Sequence, residues 1–171
     1  GMAVLLTTSN AEAKEIAFPS ARVEEELAAP VAAYMKRFFL DVHPEVATGR
    51  KRTDLLGTRR GPFGGTTVIV ELKNTVDDLA RGMDQVSTYA AYAHEVWVAC
   101  TPALAAACLD SHTRGVAVLG WDPWWLKKKL AAVGCGLLLV ERGEVVRIQG
   151  PRQNSVDRRN RDEVRVALAS R

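Results

Sequence analysis

The sequence predicts an α/β domain in which helices flank a mixed β-sheet. Segments with apolar residues at helical spacing alternate with short β-branched runs in the order α, ββ, α, β, α, β, α, ββ, which is typical of a sheet covered by helices. Glycine-containing turns at 61–65 and 142–144 join the two ββ pairs into hairpins. We expect one domain over residues 1–171, with 1–15 and 151–171 as peripheral or partly flexible termini.

The first predicted helix spans residues 21–39. Pro19 and Ser20 provide a start signal for it. Pro30 lacks a backbone N–H, so we expect it to bend this helix or to interrupt its hydrogen bonding. The apolar residues recur at spacings of three and four and form one stripe, made of Val23, Leu27, Val31, Tyr34, Met35 and Phe38.

A hairpin follows the first helix. Its predicted strands cover 53–58 and 66–73, and the second of them is rich in β-branched residues. The remaining predicted elements are helices at 76–93, 102–112 and 123–133, strands at 94–100, 115–119, 137–141 and 145–149, and a short last helix ending at 169.

The composition excludes several classes of protein. With 47% hydrophobic and 25% charged residues, the chain has the balance of a globular domain. No apolar run approaches the roughly 18 to 20 residues of a membrane span, so we expect no membrane partner. The first residues lack the basic start and long apolar centre of a secretory signal. The three cysteines include no close pair, which favours core thiols over a zinc site or a disulfide framework and indicates a reducing, cytoplasmic setting.

The basic residues are unevenly distributed although the net charge is only +3. Such clusters bind phosphate backbones, but they also occur as solvated surface. Charge therefore permits a nucleic-acid partner without identifying one. The clusters lie at 50–52, 59–60 and 127–129, and between 152 and 165.

Two carboxylates and a lysine are expected to converge on the first hairpin. Strand residues alternate between faces with a period of two, so Glu71 and Lys73 share one face with Thr67 and Ile69. A register centred in the turn makes paired positions sum to about 125, which sets Asp54 opposite Glu71. The opposite face of this strand, made of Val68, Val70 and Leu72, is predicted to face the core.

The two neighbouring helices offer further polar groups. Of three consecutive glutamates on the first helix, Glu24 alone lies close to the apolar stripe, whereas Glu25 and Glu26 lie away from it. A buried carboxylate needs a partner, such as a cation near Asp54 and Glu71. The helix at 76–93 carries one polar stripe, made of Asp78, Arg81, Gln85, Tyr89 and Tyr92.

These residues resemble the motifs of the PD-(D/E)XK nucleases, also called restriction-endonuclease-like proteins. The resemblance covers about residues 20–100 and implies a core of αβββαβ type, which the later strands and helices fit loosely. Thr53 precedes Asp54 where the family name has proline. The matching residues, in chain order, are Glu24, Asp54, Glu71-Leu72-Lys73 and Gln85-x-x-x-Tyr89, the last of which resembles the Gln/Tyr motif of the RecB-type and resolvase-like branch.

The resemblance implies a nuclease that hydrolyses DNA phosphodiester bonds with Mg²⁺ or Mn²⁺, in DNA repair, recombination or restriction. Asp54, Glu71 and the backbone carbonyl of Leu72 would hold the ion. Glu24 would act through a coordinated water or hold a second ion. Lys73 would orient the attacking water and offset developing negative charge, because the nearby carboxylates oppose loss of its proton.

The resemblance also implies roles for the helix at 76–93. Gln85 would hold the water, the lysine or a flanking phosphate. Tyr89 shares these candidate roles and, like Arg81, is a candidate contact to the nucleic acid. The chain has no obvious separate recognition domain, so we expect a homodimer or a targeting protein to direct it to DNA.

Two other functions remain as alternatives. The first is a non-catalytic module that binds nucleic acid or protein on a nuclease scaffold, since a fold does not guarantee an activity. Such a module needs no Mg²⁺ or Mn²⁺ binding that depends on Asp54 and Glu71. The second is glycoside hydrolysis by a pair of acids, which explains neither Lys73 nor the basic clusters.

Overall fold

A computed structural model describes residues 20–38, 40–62, 64–112 and 124–171 of the chain. The helices are α1 (Ser20–Lys36), α2 (Val76–Ala90), α3 (Pro102–His112), α4 (Trp124–Ala132) and α5 (Arg158–Ala169). The strands are β1 (Asp41–Pro44), β2 (Ala47–Thr48), β3 (Lys51–Arg52), β4 (Leu55–Arg59), β5 (Thr66–Leu72), β6 (Glu95–Cys100), β7 (Gly136–Glu141) and β8 (Glu144–Gln149).

Six strands form one mixed sheet in the order β1-β4-β5-β6-β7-β8. Strand β4 is antiparallel to both β1 and β5, strands β5, β6 and β7 are parallel, and β8 returns antiparallel to β7. Helix α1 packs against all six strands of this sheet, whereas α2, α3 and α4 pack on one another and on β6 and β7. The predicted α/β class, a mixed sheet flanked by helices, is confirmed.

Strand β5 is buried on both of its faces. The sequence pattern predicted only Val68, Val70 and Leu72 as core residues, but Ile69 on the other face is fully buried and Glu71 is 5% exposed. The prediction of a single core face was therefore wrong. Central strands of α/β sheets are covered by helices on both sides, and a continuous apolar run is typical of such strands.

Helix α1 runs through Pro30 without a break and ends at Lys36, three residues before the predicted end. Leu27, Val31 and Met35 from the predicted apolar stripe are buried, whereas Phe38 lies beyond the helix and is 49% exposed. A proline inside a helix removes one hydrogen bond, and we attribute the tolerance of Pro30 to the burial of this stripe.

The strands before β4 were not predicted. Strand β1 is only four residues long and contains His43 and Pro44, which gives a weak strand signal. It pairs with β4 over its whole length, from Asp41 opposite Thr58 to Pro44 opposite Leu55. Strand β4 is therefore an interior strand. The predicted strand at 115–119 lies outside the described residues.

The end of the chain packs on the domain. The Asn154 N–H donates to the carbonyl of His94, and its side-chain amide donates to the carbonyl of Ala93. Val164 of α5 is buried. The three cysteines are buried free thiols, as predicted. Within the four described ranges, no helix combines the length and the apolar character that crossing a bilayer requires.

Candidate active site

The β4–β5 hairpin places Asp54 opposite Glu71. Leu55 pairs with Val70 and Leu56 with Ile69, so the predicted register is confirmed. Asp54 directly precedes β4, and two backbone N–H groups hold the acidic pair. The N–H of Asp54 donates to Glu71 Oε1 at 3.1 Å, and the N–H of Leu72 donates to Asp54 Oδ2 at 2.7 Å. Each carboxylate is thus held beside the other strand.

Lys73 lies directly after β5, beside this pair. Its Nζ is 3.8 Å from Glu71 Oε2, and its side chain is 12% exposed. Its backbone N–H donates to the carbonyl of Ala99 at the end of β6. The lysine is therefore anchored to the sheet at its backbone and to the carboxylate at its ammonium group.

Gly82 in the middle of α2 makes room for the lysine side chain. A Cβ atom at this position would lie 2.7 Å from Lys73 Cε and 3.3 Å from Nζ. No substituent larger than hydrogen fits without moving the lysine. Sequence reasoning missed Gly82, although a glycine inside a helix costs about 1 kcal/mol relative to alanine and so indicates a close approach.

The loop before Asp54 is held by the segment that follows β1. Both the backbone N–H and the hydroxyl of Thr53 donate to the carbonyl of Val46. The N–H of Glu45 donates to the carbonyl of Asp54. Thr53 is fully buried, so it positions the aspartate that follows it. In the sequence, the only sign of this role is that a threonine precedes Asp54, and this sign is weak.

The two adjacent carboxylates create a local excess of negative charge. Burial and the charge of Asp54 raise the pKa of Glu71 and the charge of Lys73 lowers it, with a net value of about 8. A buried carboxylate is costly to ionise without a compensating charge. One ammonium beside two carboxylates leaves the site short of positive charge, so a proton or a cation stabilises it.

Tyr89 on α2 faces the same charges. It is buried, and burial together with the charges of Glu71 and Asp54 raises the pKa of its hydroxyl. The hydroxyl therefore stays protonated at neutral pH and can donate a hydrogen bond. Gln85 lies one turn earlier on the same helix and is half-buried.

The other residues of the predicted polar stripe do not form one face that contacts Asp54 and Glu71. The side chain of Arg81 is 70% exposed and pairs with Asp78. Tyr92 lies in the turn after α2, because the helix ends at Ala90 rather than at 93. The predicted stripe therefore divides into a buried part with Tyr89 and an exposed part with Arg81.

Glu24 lies on α1, but its side chain is outside the part of the chain that the structure describes. The two neighbouring positions whose side chains are described agree with the predicted orientation of the helix. Glu26 is exposed and Leu27 is buried.

The donor set suits a hard cation that keeps part of its water shell. Among the described residues, no group of three or more His, Cys, Asp or Glu side chains could hold a metal ion. The two backbone hydrogen bonds use one oxygen each of Asp54 and Glu71, so Asp54 Oδ1 and Glu71 Oε2 remain as donors. Mg²⁺ binds through one or two carboxylates with waters and substrate phosphates completing its octahedron, and this pair fits that pattern.

Comparison with known proteins indicates a shared fold and does not indicate an activity. No family model matches the chain, and no curated protein sequence matches it. The structure is similar to that of the SPO1766 protein of unknown function from Silicibacter pomeroyi, with a TM-score of 0.59 and 15% sequence identity over 86% of this chain and 84% of that one. The likeness shows a shared fold alone.

The raised pKa of Glu71 predicts that the metal-free protein loses stability as the pH rises. The folded state binds this proton up to a pH of about 8, whereas the unfolded chain releases it near 4.5. The free energy of unfolding in EDTA therefore falls between these two values. Thermal melts across this range should show a flatter profile for Glu71→Gln, whereas Glu144→Gln, which changes an exposed glutamate, should follow the wild type. Equal slopes in all three proteins would contradict this prediction.

Proposed function

We propose that this protein is a metal-dependent nuclease that hydrolyses phosphodiester bonds in DNA. The observation that carries the proposal is the pair of hydrogen bonds that holds Asp54 and Glu71 side by side, with Lys73 3.8 Å from Glu71. Two carboxylates and a lysine on one hairpin are the parts that the resemblance to PD-(D/E)XK nucleases requires.

The order of the elements supports the same proposal. Helix α1, strands β1, β4 and β5, helix α2 and strand β6 follow one another in the order αβββαβ, with the short β2–β3 ribbon inserted after β1. In this arrangement Asp54 directly precedes the second strand of the core, Glu71 lies at the end of the third, and Lys73 directly follows that strand. The resemblance likewise assigns Asp54 to the first strand of the hairpin and Glu71-Leu72-Lys73 to the second.

A divalent ion such as Mg²⁺ would neutralise charge on the scissile phosphate and make a bound water more acidic. Asp54 Oδ1 and Glu71 Oε2, with the carbonyl of Leu72, would hold it. Glu24 is the candidate for a further contact. The backbone hydrogen bonds to the two carboxylates fix their orientation before the substrate arrives, which lowers the cost of assembling the transition state.

The remaining side chains act on the water and on the phosphate. Lys73 orients the attacking water and offsets the negative charge that develops on the phosphate oxygens. The protonated hydroxyl of Tyr89 is available as a hydrogen-bond donor near the two carboxylates, and Gln85 offers a neutral amide one turn earlier on the helix. Arg81 lies on the exposed surface of the same helix, where a flanking phosphate can reach it.

Cleavage assays with and without metal test this proposal. Supercoiled, linear, branched and single-stranded DNA are incubated with Mn²⁺ or Mg²⁺ and, separately, with EDTA. We expect cleavage only with metal and a loss of about 100-fold or more in Asp54→Asn, because the ion supplies several kcal/mol of transition-state stabilisation. Asp84→Asn makes the same chemical change at an exposed position of α2 and should cleave like the wild type.

Two outcomes would overturn the proposal. Equal cleavage by wild type and Asp54→Asn would show that the activity does not use this site. DNA binding without cleavage of any substrate in either metal would favour the non-catalytic binding module.

A further inference from the structure

A second concentration of charge lies around the turn between β4 and β5, at the other end of the hairpin from Asp54 and Glu71. The side chains around this turn enclose a cavity of about 280 Å³. We call it the arginine pocket. Its lining includes Arg59, Arg60, Arg161, Arg165, His94 and the Gly64–Gly65 backbone.

Arg161 contributes a buried donor with no acceptor. Its Nε is shielded from solvent and has no hydrogen-bond partner among the described residues. Its Nη1 lies so close to the turn that a Cβ atom on Gly64 would be 2.8 Å away. A buried N–H without an acceptor is unfavourable, so a small shift of the Arg161 side chain toward an acceptor on a ligand would remove this penalty.

His94 presents a second donor at the pocket. Its Nδ1 accepts a hydrogen bond from the backbone N–H of Thr67 at 3.0 Å, so the neutral ring carries its proton on Nε2. Burial and the charge of Arg161, which lines the same pocket, lower the pKa of His94. The neutral histidine therefore acts as a hydrogen-bond donor without adding a further charge.

The charge of the pocket is poorly compensated. No acidic residue occurs among the described residues that line it. Arg165 pairs with Asp162 at 3.4 Å, but both side chains are largely exposed, and such pairs contribute little. The side chain of Arg59 leaves β4 on the opposite face from Thr67 and donates to the carbonyl of Phe38, so it adds no donor to the pocket. The guanidinium groups of Arg60, Arg161 and Arg165 around one cavity select an oxyanion, because their forked N–H groups match phosphate oxygens.

We propose that the arginine pocket binds a backbone phosphate of the DNA strand on which the Asp54–Glu71 site acts. The DNA part of this proposal rests on the proposed function. Thr67 lines the pocket and lies on the same face of β5 as Glu71, four residues away, which is about 13 Å along a strand. Ile69, which lies between them on that face, is fully buried, so a DNA strand that contacts both places passes around this covered face. The pocket therefore holds the strand a few nucleotides from the scissile bond.

DNA binding in EDTA tests the pocket apart from cleavage. The Arg60→Ala/Arg165→Ala variant removes two exposed cations of the pocket, and Lys36→Ala/Arg37→Ala removes two exposed cations outside every basic cluster. We expect the pocket variant to bind a labelled 20-mer at least about 10-fold more weakly at low salt. Its slope of log K against log salt should fall in magnitude by about 1. The control variant should change affinity less than threefold.

Arg161→Gln removes the buried donor. We expect it to weaken DNA binding about as much as the Arg60→Ala/Arg165→Ala variant does. Its melting temperature serves as the check on folding. Equal binding by the pocket and control variants would overturn the proposal. This result does not depend on hydrolysis, because EDTA removes the metal: binding that requires the pocket stands even if no DNA is cleaved.

Inorganic phosphate distinguishes a strand phosphate from a free one. We expect phosphate to shift the ring resonances of His94 at millimolar concentration and to compete with the 20-mer. Tight, saturable binding of inorganic phosphate with unchanged DNA affinity in the pocket variant would assign the pocket to a small phosphate and overturn its role in holding DNA.

Discussion

The Lys73→Met variant is expected to lose DNA cleavage by about 100-fold or more while keeping its fold. Removal of one preorganised donor to the transition state costs about 10²–10³ in rate, and Lys73 is the ammonium group that lies 3.8 Å from Glu71. Methionine keeps most of the length and apolar bulk of the side chain. Single-turnover cleavage rates in Mn²⁺, with circular dichroism as the check on folding, measure the effect.

Metal binding by the Lys73→Met variant distinguishes a role of Lys73 in positioning the water from a role in binding the metal. Because the ammonium group lowers the pKa of Glu71, its removal makes Glu71 harder to ionise, so half-maximal metal binding should move to higher pH. Above that pH the variant should still bind Mn²⁺ and still cleave poorly. Lys36→Met removes an exposed lysine at the end of α1 and serves as the control. If Lys73→Met cleaves DNA at the wild-type rate, Lys73 has no role in the mechanism.

Gly82→Ala is expected to reduce cleavage by about 10- to 100-fold, because misplacement of a catalytic group by about 1 Å has effects of this size. The new methyl group would lie 2.7 Å from Lys73 Cε, so the flexible end of the lysine must move. The same substitution favours the helix by about 1 kcal/mol. The variant should therefore be as stable as the wild type or more stable, although it is less active.

A double-mutant cycle tests whether Gly82 acts through the lysine. In the Lys73→Met background, Gly82→Ala should change the remaining activity little, since the group that it displaces is already absent. Ser87→Ala places an alanine at an exposed position of the same helix and should leave the rate unchanged. Additive losses in the double variant would show that Gly82 acts by another route.

The carboxylate pair could be predicted from sequence because it depends on local rules. The turn at 61–65 fixes the register of the hairpin, and the period of two then decides which side chains share a face. Asp54 and Glu71 are 17 positions apart and contact each other through that register. No distant part of the chain is needed to bring them together.

The missed features depend on contacts between distant segments. Tyr92 was assigned to α2, but the chain turns before it, and its hydroxyl lies against Gly49 in the turn between β2 and β3. Tyr89 was assigned to a polar stripe, but the fold buries it near Glu71. Helical periodicity shows which residues share a face of α2, and it does not show what that face meets.

The arginine pocket also could not be predicted from the sequence pattern. The clusters at 59–60 and between 152 and 165 were recognised as basic, but their meeting across the β4–β5 turn depends on where α5 packs. Charge patterning alone does not distinguish a solvated surface from a convergent site.

The two sites depend on contacts over very different sequence separations, so they form at different times during synthesis. The acidic pair depends on backbone contacts spanning 17 and 18 positions, whereas the final residue, Arg171, donates to the carbonyl of Glu45 across 126 positions. Contacts between distant segments form only after the intervening chain exists. On a ribosome, the hairpin with its carboxylates can fold early, while the cavity around Arg161 waits for α5 to emerge. A nascent chain therefore acquires the Asp54–Glu71 pair before the arginine pocket.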